Sequence, residues 1–522
     1  MTAFVLVSGP FTGGWVWQEV TARLGESGAE VYPATLTGMG DPRRPAEPGT
    51  DLETHIEDLV RLIDGIDAPE VVIVGHDYGI HPVLGAADRR PERIARIVYL
   101  DAGMPQDGDA AVALVPDQAV REGLLQQGGQ GQEQGQGRGQ GESENENDRR
   151  IPPPQGDGWQ LWGSTEGVPA EALARMDRRA VPQPAGTLTQ PLRLSGAGSG
   201  IPTTGVLCAA NGSSIEMVEF LVRSGPPQYR WLADPRVTFF ELATGHWPML
   251  SVPGELADVL LSAAAGEGHR VTVAPGEQPA HLRPFLLDVE ERPRERVGEV
   301  DLYLPDPPGA PDADRPRPAV VFVHGGPVAA DAQPTPRDWP AYVGYCRYVA
   351  SLGAVGAMLD HRLHGLADYA RAAEDVAAAV ERVRADPRVD GDRIALWYFS
   401  GGGLLSADPL AEPPPWLRCV AMTYPVLAPL PGWGMVDARF RPVQAVKRAG
   451  RLPVVLTRVG LENEAIAATV GEFLSAAEDC KADVEVVDVP LGHHGFETVD
   501  HTDETRGAVD RAVRSVLGHL TG

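Results

Sequence analysis

The chain is 522 residues long, too long for one ordinary hydrophobic core and sized for about two to four domains. Hydrophobic residues make up 43%, as in a soluble globular protein, and 45 basic against 72 acidic residues leave a formal net charge of −27. A surface this acidic repels nucleic acid and anionic membranes and excludes both as expected partners. The four cysteines, Cys208, Cys346, Cys419 and Cys480, lie far apart, with neither a Cys-x-x-Cys nor a metal-binding spacing. They read as free thiols of a reducing compartment. No apolar run reaches the roughly 18–20 residues that span a bilayer, and Ala3–Val7 lacks the basic leader of a signal peptide. A cytoplasmic protein is expected.

Apolar strand-like runs alternate with helical ones over the first 115 residues or so. Strands are predicted at Phe4–Val7, Val31–Ala34, Val71–Val74 and Ile97–Leu100, and helices at Trp17–Gly25 and Leu52–Ile63. Alternation with short loops implies a parallel sheet covered on both faces. The order breaks after Leu114, where an insertion of about 116–200 contains Trp159 and Trp162. Within it, Gln126 to Asn147 are almost entirely Gln, Gly, Glu and Asn, a tract predicted to be a disordered loop. The insertion stands where a substrate-covering cap would sit, or is a tolerated surface excursion. The sheet resumes with Thr204–Ala209 and Val237–Leu242, and a helix follows at Glu255–Ala264.

A Gly/Pro-punctuated stretch, 266–284, reads as a linker between a first domain, 1–265, and a second, 285–522. The second half repeats the grammar. Strands are predicted at Val297–Leu304, Ala319–His324, Ala354–Leu359, Ile394–Tyr398, Cys419–Tyr424, Val454–Val459 and Val484–Val489. Helices are predicted at Tyr369–Ala385 and Thr505–Leu520. The fold class is α/β, as two tandem domains, each a mostly parallel, doubly wound sheet.

Three residues of the second half follow successive strands: Ser400, then Glu462, then His494. Nucleophile, acid and base in that order suit a Ser–His–acid triad on a parallel sheet. His494 takes the Ser400 proton, Glu462 orients the ring, and backbone N–H groups near Gly326 and Gly401 hold an oxyanion. His493 is the alternative base. On His324-Gly325-Gly326, Ser400-Gly401-Gly402 and His494-Gly495-Phe496, most of 285–520 resembles the dienelactone-hydrolase and acyl-ester-hydrolase branches of the α/β-hydrolases. One departure is Tyr398, which replaces the first glycine of the elbow and is expected to crowd the turn.

The first half is organised around Val71 to Gly79, four apolar residues running into Gly75-His76-Asp77-Tyr78-Gly79. Glycines on either side of a reactive side chain mark a strand-to-helix elbow. Residues 1–115 and 200–265 resemble the small esterase and hydroxynitrile-lyase branch of the same family. The matching stretches are Gly13-Gly14-Trp15-Val16-Trp17, Thr35 to Gly40, Tyr99-Leu100-Asp101-Ala102 and Gly245-His246-Trp247-Pro248-Met249. The elbow residue, however, is Asp77, as in the epoxide hydrolases and haloalkane dehalogenases that share this fold. Ser8-Gly9-Pro10 partly matches their His-Gly-x-Pro turn. That likeness implies displacement at an sp³ carbon. Asp77 forms an alkyl ester, His246 activates water against it, and the N–H groups of Phe11 and Tyr78 stabilise the oxyanion. After Thr204–Ala209 the sequence Ala210-Asn211-Gly212-Ser213 offers no carboxylate, so Asp101 is the substitute acid. Ring opening needs a proton donor, and with no tyrosine in 116–200 that role falls to Tyr78 or Tyr229.

No dinucleotide or phosphate-loop glycine pattern is present, and His361 and His364 lack a third metal ligand. No cofactor is expected. The favoured reading is a hydrolase of a small organic molecule, acting through Asp77 at an epoxide or halide carbon. The alternatives are a serine esterase or lactonase working through Ser400, and a non-catalytic protein that binds a ligand or partner.

Overall fold

A computed structural model describes residues 2–115, 120, 121, 124, 149–224, 227–273, 278–306, 309, 315–430, 433 and 436–521. Strand β1 (Ala3–Val7) is buried along its whole length. Its side chains alternate between two hydrophobic clusters, Phe4 and Leu6 in one and Ala3, Val5 and Val7 in the other. The same division by odd and even residues runs through β3 (below), and it is what burying both faces of a parallel sheet requires. The other strands are β2 (Glu30–Pro33), β3 (Val71–His76), β4 (Ile94–Leu100), a two-residue ribbon pair β5 (Arg150–Ile151) and β6 (Gln183–Pro184), β7 (Thr203–Cys208) and β8 (Val237–Leu242). Six of them form one sheet, ordered β2-β1-β3-β4-β7-β8, with every neighbouring pair parallel.

The second sheet has eight strands: β9 (Arg294–Val297), β10 (Val300–Tyr303), β11 (Arg317–Val323), β12 (Val355–Leu359), β13 (Val389–Phe399), β14 (Leu417–Thr423), β15 (Val454–Leu461) and β16 (Val484–His493). Their order is β16-β15-β14-β13-β11-β12-β10-β9. Only the pairs made by β10 are antiparallel. The fold class is therefore α/β, with two mostly parallel sheets. The single strand expected at Val297–Leu304 is instead the hairpin β9–β10. Gly298 stands at φ +61 and reverses the chain there, which a side chain would resist. Helices Pro340–Ser351 and Glu464–Cys480 were not among the predicted elements. The first is rich in tyrosine and valine, which hides its period. The second had a legible start, because the Asn463 side chain accepts from the Ala465 N–H at 3.0 Å.

The chain divides into two compact units, 1–215 with 233–272, and 216–232 with 273–522. The residues expected as one domain at 1–265 thus give up 216–232. The reason is apolar burial: Met217 and Phe220 pack against the core of the second unit. The Gln/Gly/Glu tract 126–147 lies outside the described residues. Among the described residues, no helix is long and apolar enough to cross a membrane.

Candidate active sites

In the first unit β3 ends at His76, and Asp77 follows with φ +50, a left-handed conformation that costs a non-glycine residue energy. The turn is held by close backbone contacts. A Cβ on Gly75 would stand 2.7 Å from the Ile80 Cα, and one on Gly79 would stand 2.8 Å from the Ser8 and Val7 carbonyl oxygens. Only glycine fits either position.

Asp77, Asp101 and His246 are brought together and buried. Asp101 also has positive φ, +41, at the end of β4. His246 Nδ1 lies 2.7 Å from Asp101 Oδ2, and its Nε2 lies 3.3 Å from Asp77 Oδ2. Burial opposes a charged His246 ring, but bonds to Asp101 and Asp77 outweigh it and lift its pKa to about 10. Burial likewise opposes the Asp77 carboxylate, yet the His246 bond and charge hold its pKa below the ordinary value. The arrangement thus favours the charged form of the His246 ring. Burial keeps the neighbouring His76 and His81 neutral, with pKa values of about 4. His76 Nε2–H donates to the His246 carbonyl at 2.7 Å, which fixes the loop carrying the base.

Sequence reasoning missed Asn211, which occupies the strand-end position where a carboxylate was sought. Its Nδ2–H₂ donates to Asp101 Oδ2 at 2.7 Å, and its Oδ1 accepts from the Ser164 N–H at 2.7 Å. The insertion reaches the centre at the same place. The Ser164 carbonyl accepts from the His246 N–H at 2.7 Å, and a Cβ on Gly163 would stand 2.5 Å from the His246 side chain. Trp162 packs edge-on to Phe11, with ring centroids 4.8 Å apart.

Two expectations need correction. The Phe11 N–H is spent on the buried Gln183, donating to its Oε1 at 3.1 Å, and so does not face an oxyanion. The Tyr78 hydroxyl is bonded to His55 Nδ1 at 2.8 Å, and burial pushes its pKa far up, so it is no proton donor to a substrate. The other expected donor, Tyr229, groups with the second unit.

In the second unit Ser400 follows β13 at φ +49. His494 Nε2 lies 2.7 Å from Ser400 Oγ, and its Nδ1 lies 2.8 Å from Glu462 Oε2. The side chains of His494 and Glu462 are both buried. The other Glu462 oxygen accepts from the Asn463 N–H at 2.9 Å, so the acid is held from both sides. His493, the alternative base, points to Asp500 at 3.1 Å and is half exposed. Tyr398 does not crowd the elbow, because its ring is buried in the core on one face of the sheet. Close approach is managed by the glycines after Ser400. A Cβ on Gly401 would stand 2.2 Å from the Gly326 carbonyl oxygen, and one on Gly402 would stand 2.4 Å from that of His324. Gly326 and Gly401 are therefore adjacent.

Replacing Gly401 by alanine is expected to destabilise the fold by about 1–3 kcal/mol, because backbone must move to admit the methyl group. A urea-denaturation midpoint measures it; an unchanged midpoint would count against the close packing of these two turns.

Tyr424 ends β14 as Asp101 ends β4, next to the elbow strand and with φ +36. Its ring lies 4.4 Å from the His494 ring, and its hydroxyl donates to the buried Glu497 at 2.8 Å, as that of Tyr345 does at 2.9 Å. His324 and His361 stack at 3.6 Å, and His361 Nε2 bonds the His324 carbonyl at 3.1 Å. Among the described residues, no group of three or more His, Cys, Asp or Glu is placed to hold a metal ion.

The model of the "Alpha/beta hydrolase family" matches residues 4–259. A carbendazim-hydrolysing esterase of Nocardioides sp. (strain SG-4G) is 30% identical over 262 residues, which is 50% of this chain and 98% of that protein. The chain belongs to the α/β-hydrolase family. This α/β-hydrolase is also 34% identical over 116 residues to putative methylesterase 12, chloroplastic, of Arabidopsis thaliana, covering 22% of this chain and 33% of that protein. A solved extracellular α/β-hydrolase from a Paenibacillus species covers 50% of this chain and 99% of its own, at 21% identity and a TM-score of 0.39. Within this α/β-hydrolase the two centres draw on equivalent strands differently. The carboxylate bonded to the histidine Nδ1 follows the first strand beyond the elbow in one unit (β4) and the second in the other (β15).

Proposed function

We propose that this α/β-hydrolase is a carboxylic-ester hydrolase of small organic esters, working through Ser400. The observation that carries the reading is the continuous bonded line from Ser400 Oγ through His494 to Glu462, at 2.7 and 2.8 Å. His494 Nε2 accepts the Ser400 proton as Oγ adds to the ester carbonyl, and the Glu462 carboxylate stabilises the imidazolium. The N–H groups of Gly326 and Gly401 receive the oxyanion. His494 then hands the proton to the departing alcohol. Water repeats the sequence on the acyl-enzyme and releases the acid. The esterase names of two relatives support ester hydrolysis as the reaction class, while the family model matches residues 4–259, in the unit that carries Asp77. The test is labelling of the folded chain with a fluorophosphonate probe, followed by peptide mapping. A label on Ser400 is expected; an unlabelled Ser400 in a folded chain would overturn the reading.

A second activity is favoured by the imidazolium held between Asp77 and Asp101. Asp77 displaces a halide or opens an epoxide at carbon, forming an alkyl ester and losing its charge. His246 then no longer faces two carboxylates, and its hold on the proton weakens. In epoxide opening that proton goes to the alkoxide, and in halide displacement it passes to solvent water; either way His246 is left neutral. Neutral His246 takes a proton from water as the water attacks the ester. A single turnover in ¹⁸O water is expected to place ¹⁸O in the Asp77 carboxylate. Epoxide or halide turnover with no ¹⁸O in that peptide would sink the mechanism.

A further inference from the structure

The helix Ile215–Ser224 lies in sequence between β7 and β8, yet from Glu216 onward it groups with the unit that carries Ser400. Val218 and Val222 are buried, and Met217 and Phe220 pack against that unit's core. Phe220 goes further. Its ring meets the His494 imidazole edge to face, with centroids 4.9 Å apart and planes at 87°. Two edges of the His494 ring are committed, Nε2 to Ser400 and Nδ1 to Glu462, and Tyr424 covers part of it at 4.4 Å. Phe220 is a further aromatic wall on the base. Tyr424 is pinned through its hydroxyl to Glu497, whereas Phe220 has no polar anchor and is held by apolar packing alone.

We infer that Phe220 is a specificity-determining wall of the Ser400 centre and that it limits the size of the leaving alcohol. The inference rests on the ester-hydrolase reading. Its physical basis is the proton path. His494 Nε2 must come within hydrogen-bond reach of the alcohol oxygen to protonate it, so the alcohol half of the ester lies on the His494 side of Ser400. A wall that touches the imidazole borders that half. The carbonyl oxygen faces the Gly326–Gly401 backbone, and the acyl chain leaves the tetrahedral carbon in a direction different from the alcohol's. Phe220 carries no charge or hydrogen-bonding group, so the alcohol it accepts is apolar where the two meet. The second unit's catalytic centre is then completed by a helix whose sequence interrupts the first sheet.

The experiment uses the full chain with Phe220→Ala and Phe220→Leu and two ester series. One keeps the acetyl group and varies the alcohol from methanol to butanol and benzyl alcohol. The other keeps methanol and varies the acid from acetate to octanoate. Phe220→Ala is expected to raise kcat/KM for benzyl over methyl acetate by roughly tenfold or more, with Phe220→Leu intermediate. The acyl series is expected to keep its rank order. An unmoved alcohol preference in a variant that melts like the wild type overturns the inference, as does a change confined to the acyl series. If Phe220→Ala does not fold, Phe220→Leu decides by the same criteria. A wild-type chain that takes no fluorophosphonate label and hydrolyses none of these esters overturns the ester reading itself, and this inference with it.

Discussion

Replacing Ser400 by alanine is expected to lower kcat for ester hydrolysis by about 10⁴–10⁶-fold. KM is expected to change little, since the lost oxygen forms a bond only in the transition state. The size follows from how the three residues act. Without Oγ no acyl-enzyme forms, and the proton acceptor at 2.7 Å has nothing to accept. His494→Ala is expected to cost as much, and the double variant little more, because removing either member already disables the unit. Glu462→Gln is expected to cost less. It retains a side chain beside His494 Nδ1 but loses the negative charge that steadies the imidazolium. Initial rates on a soluble ester such as phenyl acetate measure all four variants. Strictly additive losses, or wild-type rates in Ser400→Ala, would count against a coupled triad.

Asp77→Asn is expected to move the pKa of His246 down from about 10 by at least roughly one unit, each unit being about 1.4 kcal/mol of lost stabilisation of the charged ring. The direction follows from the geometry, because the variant keeps a polar side chain near Nε2 but removes one of the two negative charges. Nitrogen-15 shifts of the imidazole, followed from pH 5 to 11, read this directly. The same residue shapes stability against pH. The folded-state pKa lies above the unfolded value of about 6.5. The stabilisation is therefore complete below pH 6.5 and is lost as pH rises towards 10. In Asp77→Asn that window narrows from the top, so the variant's stability loss relative to wild type is full around pH 6.5, shrinks as pH rises past the variant's lowered pKa, and is gone above about 10. An unchanged His246 pKa would show that Asp77 does not hold its proton. Turnover of epoxides or halides is also expected to disappear, since an amide is no nucleophile for carbon.

Much of this architecture is legible in the sequence. The strands β1, β3 and β4 are short apolar runs whose alternate residues enter opposite clusters, a pattern set by strand geometry alone. Both elbows were legible because glycine is the residue that lets backbones approach to the distances seen at Gly75, Gly79 and Gly401. The hairpin at Gly298 was not, because a lone glycine inside an apolar run gives no direction of turn. The helices Pro340–Ser351 and Glu464–Cys480 were passed over, though Asn463 signalled the start of the second.

By itself the sequence determined the class of fold, the two elbow residues and the two histidines that meet them, since each is announced by a local pattern of strand, glycine and reactive side chain. Tertiary structure decided the rest. It brought Asn211, which follows β7, to both partners, 2.7 Å from the Asp101 carboxylate and 3.3 Å from His246 Nδ1. It committed the Phe11 N–H to Gln183 and the Tyr78 hydroxyl to His55, removing both from the chemistry expected of them. It also carried Phe220 to His494. These are contacts between residues far apart in the chain. Burial and hydrogen-bond satisfaction in the folded state select them, and no local periodicity encodes them.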